Sequence, residues 1–276
     1  EISCSLVGSE MCIRDSRKIN WTKNHKSCKI YGIVTGQPQK FSSGVVFMPF
    51  QKGYYMFNEL DFKEIDLTKE APLEETKRQY YYIAKVRGFI AQKKTEAGRN
   101  FTYCLQTFGC QMNEKQSEVV AGIMDEMGYV RKDTEDADVV IYNTCTVREN
   151  ANLKVYGRLG KLHNLKKQNP DMKIVLFGCM MQEEHVVSKI KKDYPFVNLV
   201  FGTHNIFKFA ELYSEMLHAD NQLIDIWEGT DKIVEELPTE RNYTFKSGVN
   251  IMFGCNNFCS YCICLLYTSP SPRDCS

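Results

Sequence analysis

Segments typical of strands and segments typical of helices alternate along residues 100–235, and this alternation constrains the fold most strongly. Short runs of β-branched and aromatic residues are each followed by a longer segment whose apolar residues recur at helical spacing. The predicted strands are 101–109, 136–145, 173–179, 198–202 and 222–226, and the predicted helices are 114–129, 149–168, 182–193 and 206–218. Strands that alternate with helices form parallel sheets with right-handed crossovers. The sequence therefore predicts an α/β fold built on a doubly wound parallel sheet.

Three cysteines follow successive predicted strands at the same end. Cys110, Cys145 and Cys179 lie in polar or glycine-bearing loops that read GCQMN, NTCTVRE and GCMMQ. The carboxyl ends of parallel strands meet along one edge of a sheet, where ligands bind, so we expect the three thiols to converge there on a metal. Three thiolates suit an iron–sulfur cluster better than zinc, which takes four protein ligands in structural sites. Buried cysteines are also commonly inert, and we interpret Cys104, inside the first strand, in that way.

A second group of cysteines follows a predicted strand at residues 243–254. Cys255, Cys259 and Cys262 have the spacing C-x-x-x-C-x-x-C, and Tyr261 directly precedes the last cysteine. A short loop with this spacing can bind three irons of a 4Fe–4S cluster and leave the fourth iron open to a small ligand. Zinc would require a second cysteine pair or suitably spaced histidines, and neither follows. The polar segment 235–241, EELPTER, is interpreted as a linker to this group.

Composition and charge exclude several classes of protein. The net charge is +1, so the chain has no global basic field that would indicate nucleic-acid binding. No apolar run approaches the length of a membrane span, and the first residues lack the pattern of a secretory signal. Twelve cysteines without such a signal indicate metal or redox chemistry in a reducing compartment, and not a disulfide scaffold. We therefore expect a cytoplasmic protein that is not attached to a membrane.

These motifs resemble a known enzyme family. CNNFCSYC (255–262) resembles the cluster-binding loop of the radical S-adenosylmethionine (SAM) enzymes, and GCQMN, NTCTVREN and GCMMQ resemble their methylthiotransferase branch. The resemblance covers about residues 75–263. It implies that residues 100–235 form the methylthiotransferase N-terminal domain and that residues 243–263 are the truncated start of a radical SAM (β/α) barrel. GCQMN and VREN favour the branch that modifies isopentenylated adenosine in tRNA.

The resemblance also implies two 4Fe–4S clusters and S-adenosyl-L-methionine as cofactors. The second group of cysteines would bind the cluster that cleaves SAM to a 5′-deoxyadenosyl radical, with Tyr261 along the adenine side. The strand-end cysteines would bind the second cluster, which supplies the methylthio group to C2 of isopentenylated adenosine beside the anticodon. The implied partners are tRNA and an electron donor such as flavodoxin or ferredoxin, and the implied state is a monomer. No residue is assigned as a general acid or base.

Two other interpretations remain open. One is a relative that acts on threonylcarbamoyladenosine in tRNA or on a ribosomal protein, and the other is a non-catalytic metal-binding module that uses the sheet edge to contact a partner. Basic residues in the predicted helix 149–168 could contact RNA phosphates, although a solvated helix face explains the same residues and is the interpretation that we favour. These residues are Lys154, Arg158, Lys161 and Lys166.

The two ends of the chain have an unusual relation to each other. LVGSEMCIRDS (6–16) and CLLYTSPSPRD (264–274) can be encoded by opposite strands of one DNA string, which resembles a sequencing adapter. We therefore interpret residues 1–16 and 264–276 as translated adapter sequence and exclude them from functional reasoning. Residues 17–99 form an N-terminal extension, and one hypothesis is that translation begins at Met56 and that the preceding segment is noncoding. On this interpretation the chain is a fragment that we expect to be inactive alone.

Overall fold

A six-stranded parallel sheet is the centre of the structure, a computed structural model in which residues 65–146, 149–230, 232, 234 and 236–242 are described. The strand order is β2-β1-β3-β4-β5-β6, and every neighbouring pair is parallel. The strands are β1 Thr102–Phe108, β2 Val130–Arg131, β3 Val139–Thr144, β4 Lys173–Gly178, β5 Leu199–Phe201 and β6 Leu223–Asp225. The five predicted strands are therefore confirmed, and β2 is an addition at the edge of the sheet.

Five α-helices accompany the sheet within the described residues. They are α1 Glu75–Ala97, α2 Gln111–Glu126, α3 Glu149–Gln168, α4 Glu184–Asp193 and α5 Phe209–His218. Two short 3₁₀ helices, Cys179–Gln182 and Ile206–Lys208, directly follow β4 and precede α5. No helix in the described ranges combines the length and the apolar character that a membrane crossing requires.

Both faces of the sheet are buried under helices, which explains why its central strands are almost continuously apolar. Because side chains alternate along a strand, Val139 and Ile141 of β3 belong to one apolar cluster, whereas Val140 and Tyr142 belong to the other. The first cluster includes residues of α1, α2 and α5, and the second includes residues of α3 and α4. Helices on both faces confirm the predicted doubly wound α/β class.

Helix α1 belongs to the same apolar core as the sheet. Its residues Ile83, Val86 and Ile90 are almost completely buried, and they pack in the first cluster beside α5. Glu211 on α5 accepts a hydrogen bond of 3.0 Å from Nε of Arg78 on α1, and this contact ties the two helices together at one end. Part of the predicted N-terminal extension therefore forms a helix of the domain core.

The segment interpreted as a linker is folded against the domain where it is described. The backbone N–H of Glu240 donates to the carbonyl of Glu118 on α2 at 2.9 Å, and the phenol of Tyr80 on α1 donates to the carbonyl of Glu236 at 3.0 Å. The side chain of Glu118 accepts a further hydrogen bond of 3.2 Å from the N–H of Asn242. Residues 236–242 therefore run along α2 as a packed segment, which we call the strap. The strand and cysteine loop predicted at 243–263 lie outside the described residues.

Candidate metal site at the carboxyl edge of the sheet

The register of the three central strands brings the strand-end cysteines to one edge. Thr144 at the end of β3 pairs with Phe108 at the end of β1 and with Gly178 at the end of β4. Cys145 and Cys179 directly follow two of these residues, and Cys110 lies two residues after the third. Neighbouring strands in a sheet are about 4.8 Å apart. The backbone positions of the three cysteines thus lie side by side along the carboxyl edge.

This part of the edge is also where the strand order reverses. The chain passes from β1 outward to β2 on one side, and from β3 through β4 and β5 to β6 on the other side. At such a switch point the connections after the two central strands diverge to opposite faces, and the crevice that results is where open α/β sheets bind ligands. Cys110 follows β1 and Cys145 follows β3, so two of the three cysteines flank this crevice.

The three side chains differ in exposure and do not form a ligand set among the described residues. Cys110 is exposed, Cys179 is half-buried and Cys145 is buried. Across the described ranges, no three or more side chains of the types His, Cys, Asp and Glu lie in an arrangement that could hold a metal ion. The shared edge predicted from the sequence is present in the backbone, whereas the role of these cysteines as metal ligands stays a prediction.

Cys110 caps the N-terminus of α2. Its sulfur accepts a hydrogen bond from the backbone N–H of Asn113, and its own backbone N–H donates to Oδ1 of Asn113 at 3.1 Å. The thiol of Cys110 also donates to Oδ1 of Asn113 at 3.3 Å. This cap also explains why α2 begins at Gln111, three residues before the predicted start. The fold therefore holds the exposed Cys110 at the N-terminus of α2 through its contacts with Asn113.

Two fully buried amides lie directly beneath the cysteine turns. Nδ2 of Asn113 donates to Oδ1 of Asn143 at 2.8 Å and to the carbonyl of Thr144 at 3.1 Å. Nδ2 of Asn143 donates to the carbonyl of Asn113 at 2.7 Å and to the hydroxyl of Ser117 at 3.0 Å. Asn113 and Asn143 have no exposed surface, and we call them the amide pair. The pair joins the N-terminus of α2 to the end of β3.

Glycines precede two of the cysteines because the amide pair leaves no space for a side chain. A Cβ on Gly109 would come within 3.0 Å of Oδ1 of Asn113. A Cβ on Gly178 would come within 3.0 Å of Oδ1 of Asn143 and of the carbonyl of Thr144. Gly178 also has φ +111, a conformation that residues with a side chain rarely adopt. The turns that carry Cys110 and Cys179 are therefore packed tightly onto the amide pair.

Glu183 links the turn after β3 to the turn after β4. Thr146, the residue after Cys145, donates its hydroxyl to the carboxylate of Glu183, which follows the 3₁₀ helix that begins at Cys179. Burial raises the pKa of Glu183, and the nearby His185 offsets part of this effect. The carboxylate is therefore a polar group at the edge of the candidate site that also holds two of its turns together.

Gln182, the last residue of the 3₁₀ helix Cys179–Gln182, is hydrogen-bonded to the segments that follow β5 and β6. Its Oε1 accepts from the N–H of Thr203 at 3.0 Å, and its Nε2 donates to the carbonyl of Trp227 at 2.8 Å. Thr203 follows β5 and Trp227 follows β6. The short helix that begins at Cys179 is thus held between the central and the outer strands.

The basic residues considered for RNA contacts have partners within the domain. Arg158 and Lys161 on α3 bind the carboxylate of buried Glu135, at 2.5 and 2.8 Å, and the hydroxyl of Tyr142 donates to the same carboxylate at 2.5 Å. Burial by itself raises the pKa of Glu135, but the hydrogen bonds from Lys161, Tyr142 and Arg158 outweigh it and lower the pKa. Arg158 and Lys161 therefore neutralise a buried carboxylate of the domain. They are not simply the solvated face of a helix.

Lys166 also differs from a solvated side chain. Its Nζ donates to the carbonyl of Phe196 at 2.8 Å and to Oδ1 of Asn198 at 2.6 Å. Burial and, to a smaller extent, the positive charge of Lys173 together lower the pKa of Lys166 to about 8. Of the four basic candidates, Lys154 alone is an exposed residue for which the structure shows no side-chain hydrogen bond or ion pair within the described residues.

The second predicted cysteine group lies outside the described residues, so its geometry is not part of the site described above. This group comprises Cys255, Cys259, Tyr261 and Cys262. The amide pair, in contrast, is a feature of the site that sequence reasoning missed. Its signal was present in the motifs themselves, since GCQMN has an asparagine at the third helical position after the Cys110 cap, and NTC has one two residues before Cys145.

Comparison with known proteins identifies relatives for this part of the chain. Residues 102–202 match a family described as Uncharacterized protein family UPF0004, and this range includes all three strand-end cysteines. The chain is 67% identical over 181 residues to the tRNA-2-methylthio-N(6)-dimethylallyladenosine synthase of Lachnoclostridium phytofermentans, covering 66% of this chain and 40% of that protein.

Two further relatives carry the same name. The protein of Clostridioides difficile is 47% identical over 193 residues, which is 70% of this chain and 40% of the relative. The protein of Acetivibrio thermocellus is 49% identical over 191 residues, which is 69% of this chain and 40% of the relative. The chain thus spans about two fifths of the length of these relatives. Residues 102–202 are thus similar to the UPF0004 family, and the chain is similar to proteins named tRNA-2-methylthio-N(6)-dimethylallyladenosine synthase.

Proposed function

We propose that this chain is part of a tRNA methylthiotransferase that adds a methylthio group to C2 of N6-dimethylallyladenosine by radical SAM chemistry. The observation that carries this proposal is the 67% identity over 181 residues to a relative whose name specifies that product. The UPF0004 match adds support, because it spans the three cysteines at the strand-order switch point. The proposed reaction requires a soluble tRNA substrate, and we accordingly propose a cytoplasmic enzyme.

The three strand-end cysteines are proposed to bind one 4Fe–4S cluster. The residues suit this role because they are cysteines that follow adjacent, in-register strand ends, and cysteine sulfur is the ligand that iron–sulfur clusters take. Cys110 is exposed at the N-terminus of α2, where an incoming cluster can reach it. Since the three side chains form no ligand set among the described residues, binding must bring the sulfurs together. When bound, this cluster would supply the sulfur of the methylthio group.

The second group of cysteines is proposed to bind a second 4Fe–4S cluster together with S-adenosyl-L-methionine. Support for this part of the proposal comes from the C-x-x-x-C-x-x-C spacing of Cys255, Cys259 and Cys262 and from the adjacent Tyr261. With three protein ligands, one iron remains open for the amino and carboxylate groups of SAM. The cofactor supplies the radical, and the electron that generates it would come from a donor such as flavodoxin or ferredoxin.

The described residues of the domain contribute by holding the turns that carry the three cysteines. The amide pair fixes the turns that follow β1 and β3, and Gln182 and Glu183 hold the turn that follows β4. Cys145 is itself 2% exposed, which places it at the inner boundary of the site.

A chimeric enzyme tests the proposed function. Residues 65–263 of this chain would replace the matching segment of the Lachnoclostridium phytofermentans relative, and the chimera would be expressed in a bacterial strain that lacks its own methylthiotransferase for this base. We expect 2-methylthio-N6-dimethylallyladenosine in nucleoside digests of its tRNA, measured by mass spectrometry. Replacing Cys110, Cys145 and Cys179 with Ala should abolish the product.

Other outcomes of this experiment contradict the proposal. A methylthio group on threonylcarbamoyladenosine or on a ribosomal protein would show that the segment belongs to a relative with another substrate. A chimera that accumulates to the level of the parent enzyme, binds iron and modifies neither tRNA nor protein would favour a non-catalytic metal-binding module.

A further inference from the structure

The amide pair is a completely buried polar element at the carboxyl edge of the sheet. Asn113 and Asn143 are completely buried, and burying an amide costs several kcal/mol unless its polar atoms are hydrogen-bonded. The side-chain oxygen and nitrogen of both residues have partners. A buried network in which every polar atom is hydrogen-bonded restricts its members to one arrangement. The amide pair therefore holds the turns that contact it in fixed positions.

The orientation of Asn113 is locked by its surroundings. Its Oδ1 faces the N–H of Cys110, and its Nδ2 faces two acceptors, the carbonyl of Thr144 and Oδ1 of Asn143. Exchanging the two amide atoms would place a donor against a donor and an acceptor against two acceptors, and all three hydrogen bonds would be lost. The side chain thus connects the turn that carries Cys110 to the residue before Cys145 in a single geometry.

The third turn rests on the same pair. Gly178, the residue before Cys179, lies so close to Oδ1 of Asn143 that no Cβ could be inserted between them. The hydroxyl of Thr144 donates to the carbonyl of Phe177 at 2.8 Å, which adds a hydrogen bond between the same two strand ends. All three cysteine turns are consequently in contact with one pair of amides.

We propose that Asn113 and Asn143 are positioning residues that hold the turns of Cys110, Cys145 and Cys179 in the mutual arrangement needed to bind a cluster. The proposal rests on the proposed function for the identity of the ligand, but the coupling between the turns is a property of the metal-free domain. It assigns to the pair a role beyond stability, because hydrogen bonds to the supports of metal ligands control their orientation and the affinity of the site.

Asn205 provides a matched control. It is also completely buried at the carboxyl edge, where its Oδ1 accepts from the N–H of Gly202 at 3.1 Å and its Nδ2 donates to the carbonyl of Asp225 at 2.8 Å. It lies between β5 and β6, and neither of these strands is followed directly by a cysteine. Replacing Asn205 with Ala should therefore lower stability about as much as replacing Asn113 or Asn143, without disturbing the cysteine turns.

Hydrogen exchange in the metal-free chain, read by mass spectrometry, tests the coupling directly. Asn143→Ala should speed exchange at least tenfold in the turns that follow β1, β3 and β4, because all three rest on the pair. Asn113→Ala should do the same for the first two turns, and Asn205→Ala should leave all three unchanged. Faster exchange confined to the substituted turn would overturn the proposal, as would equal effects from Asn205→Ala.

Iron binding tests whether the amide pair positions the cysteines for a cluster. In the chain with Cys255, Cys259 and Cys262 replaced by Ala, the strand-end cysteines are the one remaining group of the two that are proposed to bind a cluster. Asn113→Ala or Asn143→Ala in this background should reduce bound iron at least fivefold and change the electron paramagnetic resonance spectrum of what remains, whereas Asn205→Ala should change neither. Unchanged iron and spectra in the first two variants would refute a positioning role.

The two experiments separate failure of this inference from failure of the proposed function. If the background chain binds no iron at all, the proposed cluster is wrong, and hydrogen exchange alone then decides whether the amide pair couples the turns. If the background chain binds iron and the exchange shows no coupling, the cluster stands and the positioning role is wrong.

Discussion

The backbone of Pro238 lies directly against Gly122 in the middle of α2. A Cβ atom on Gly122 would be 2.5 Å from the carbonyl carbon of Pro238 and 2.5 Å from the nitrogen of Thr239. Glycine within a helix is normally unfavourable, and here it is explained because a side chain would push the strap away. The strap therefore packs at a specific position on α2, and the segment that was predicted to be a linker is held to the domain.

The contact between the strap and Gly122 predicts opposite effects on stability for two glycine substitutions. Gly122→Ala should destabilise the domain by about 1–2 kcal/mol, because the clash with backbone exceeds the gain of about 1 kcal/mol in helix propensity. Gly157→Ala on α3 has nothing within 4 Å of its Cβ and should stabilise by up to about 1 kcal/mol. Urea unfolding measures both free energies, and hydrogen exchange at residues 236–242 should accelerate only in Gly122→Ala. Stabilisation by Gly122→Ala would show that the strap does not pack against Gly122.

Gly178 should be the least replaceable glycine at the candidate site. Gly178→Ala combines a positive φ with contacts under 3.0 Å to Asn143 and Thr144, so we expect a loss of about 3 kcal/mol or more in the free energy of unfolding. Gly160→Ala on α3, whose Cβ meets nothing within 4 Å, is the control and should not destabilise. Thermal unfolding of the two variants checks this difference. Equal stability of both variants would contradict the close packing described for the turn after β4.

Glu135 should make the domain sensitive to acid. Its pKa is lower in the folded state than in the unfolded chain, so the folded state binds fewer protons and its stabilising contribution is complete above about pH 4.5. As the pH falls toward the folded-state pKa, that contribution is lost. Glu135→Gln should therefore be destabilised by about 1–3 kcal/mol at pH 7, because the ion pairs with Arg158 and Lys161 are lost.

The same variant gives the pH test. The difference in unfolding free energy between the unsubstituted chain and Glu135→Gln should shrink as the pH is lowered from 7 to 3, measured by urea unfolding at each pH. A difference that stays constant over this range would contradict the lowered pKa of this carboxyl group. Lys154→Gln, at an exposed position of the same helix, should show no such pH-dependent difference.

The sequence predicted the fold because the sheet is buried on both faces. β3 and β4 each contain four consecutive apolar residues, a pattern typical of strands in a sheet that is covered on both faces. β2 was missed because it has two residues, Val130 and Arg131, and both are exposed, so neither length nor burial leaves a pattern. The predicted helix at 182–193 begins two residues too early because Gln182 instead ends a 3₁₀ helix.

The candidate site was predictable only in its outline. Cysteines after successive parallel strands indicate a shared edge, and the register confirms this for their backbone positions. The exposure of each thiol and the buried pair of Asn113 and Asn143 depend on which residues of different helices and strands face each other, and a sequence pattern does not specify such contacts. The partners of Arg158, Lys161 and Lys166 were missed for the same reason, because Glu135 and Asn198 are distant in sequence.

Counting iron in matched triple variants tests the central claim most directly. The chain would be reconstituted anaerobically with iron and sulfide, once unsubstituted, once with the strand-end cysteines replaced by Ala, and once with Cys255, Cys259 and Cys262 replaced by Ala. Two 4Fe–4S clusters predict about eight irons in the first and about four in each variant. If the strand-end variant keeps all the iron of the unsubstituted chain, the carboxyl edge of this sheet does not bind a cluster and the account is wrong.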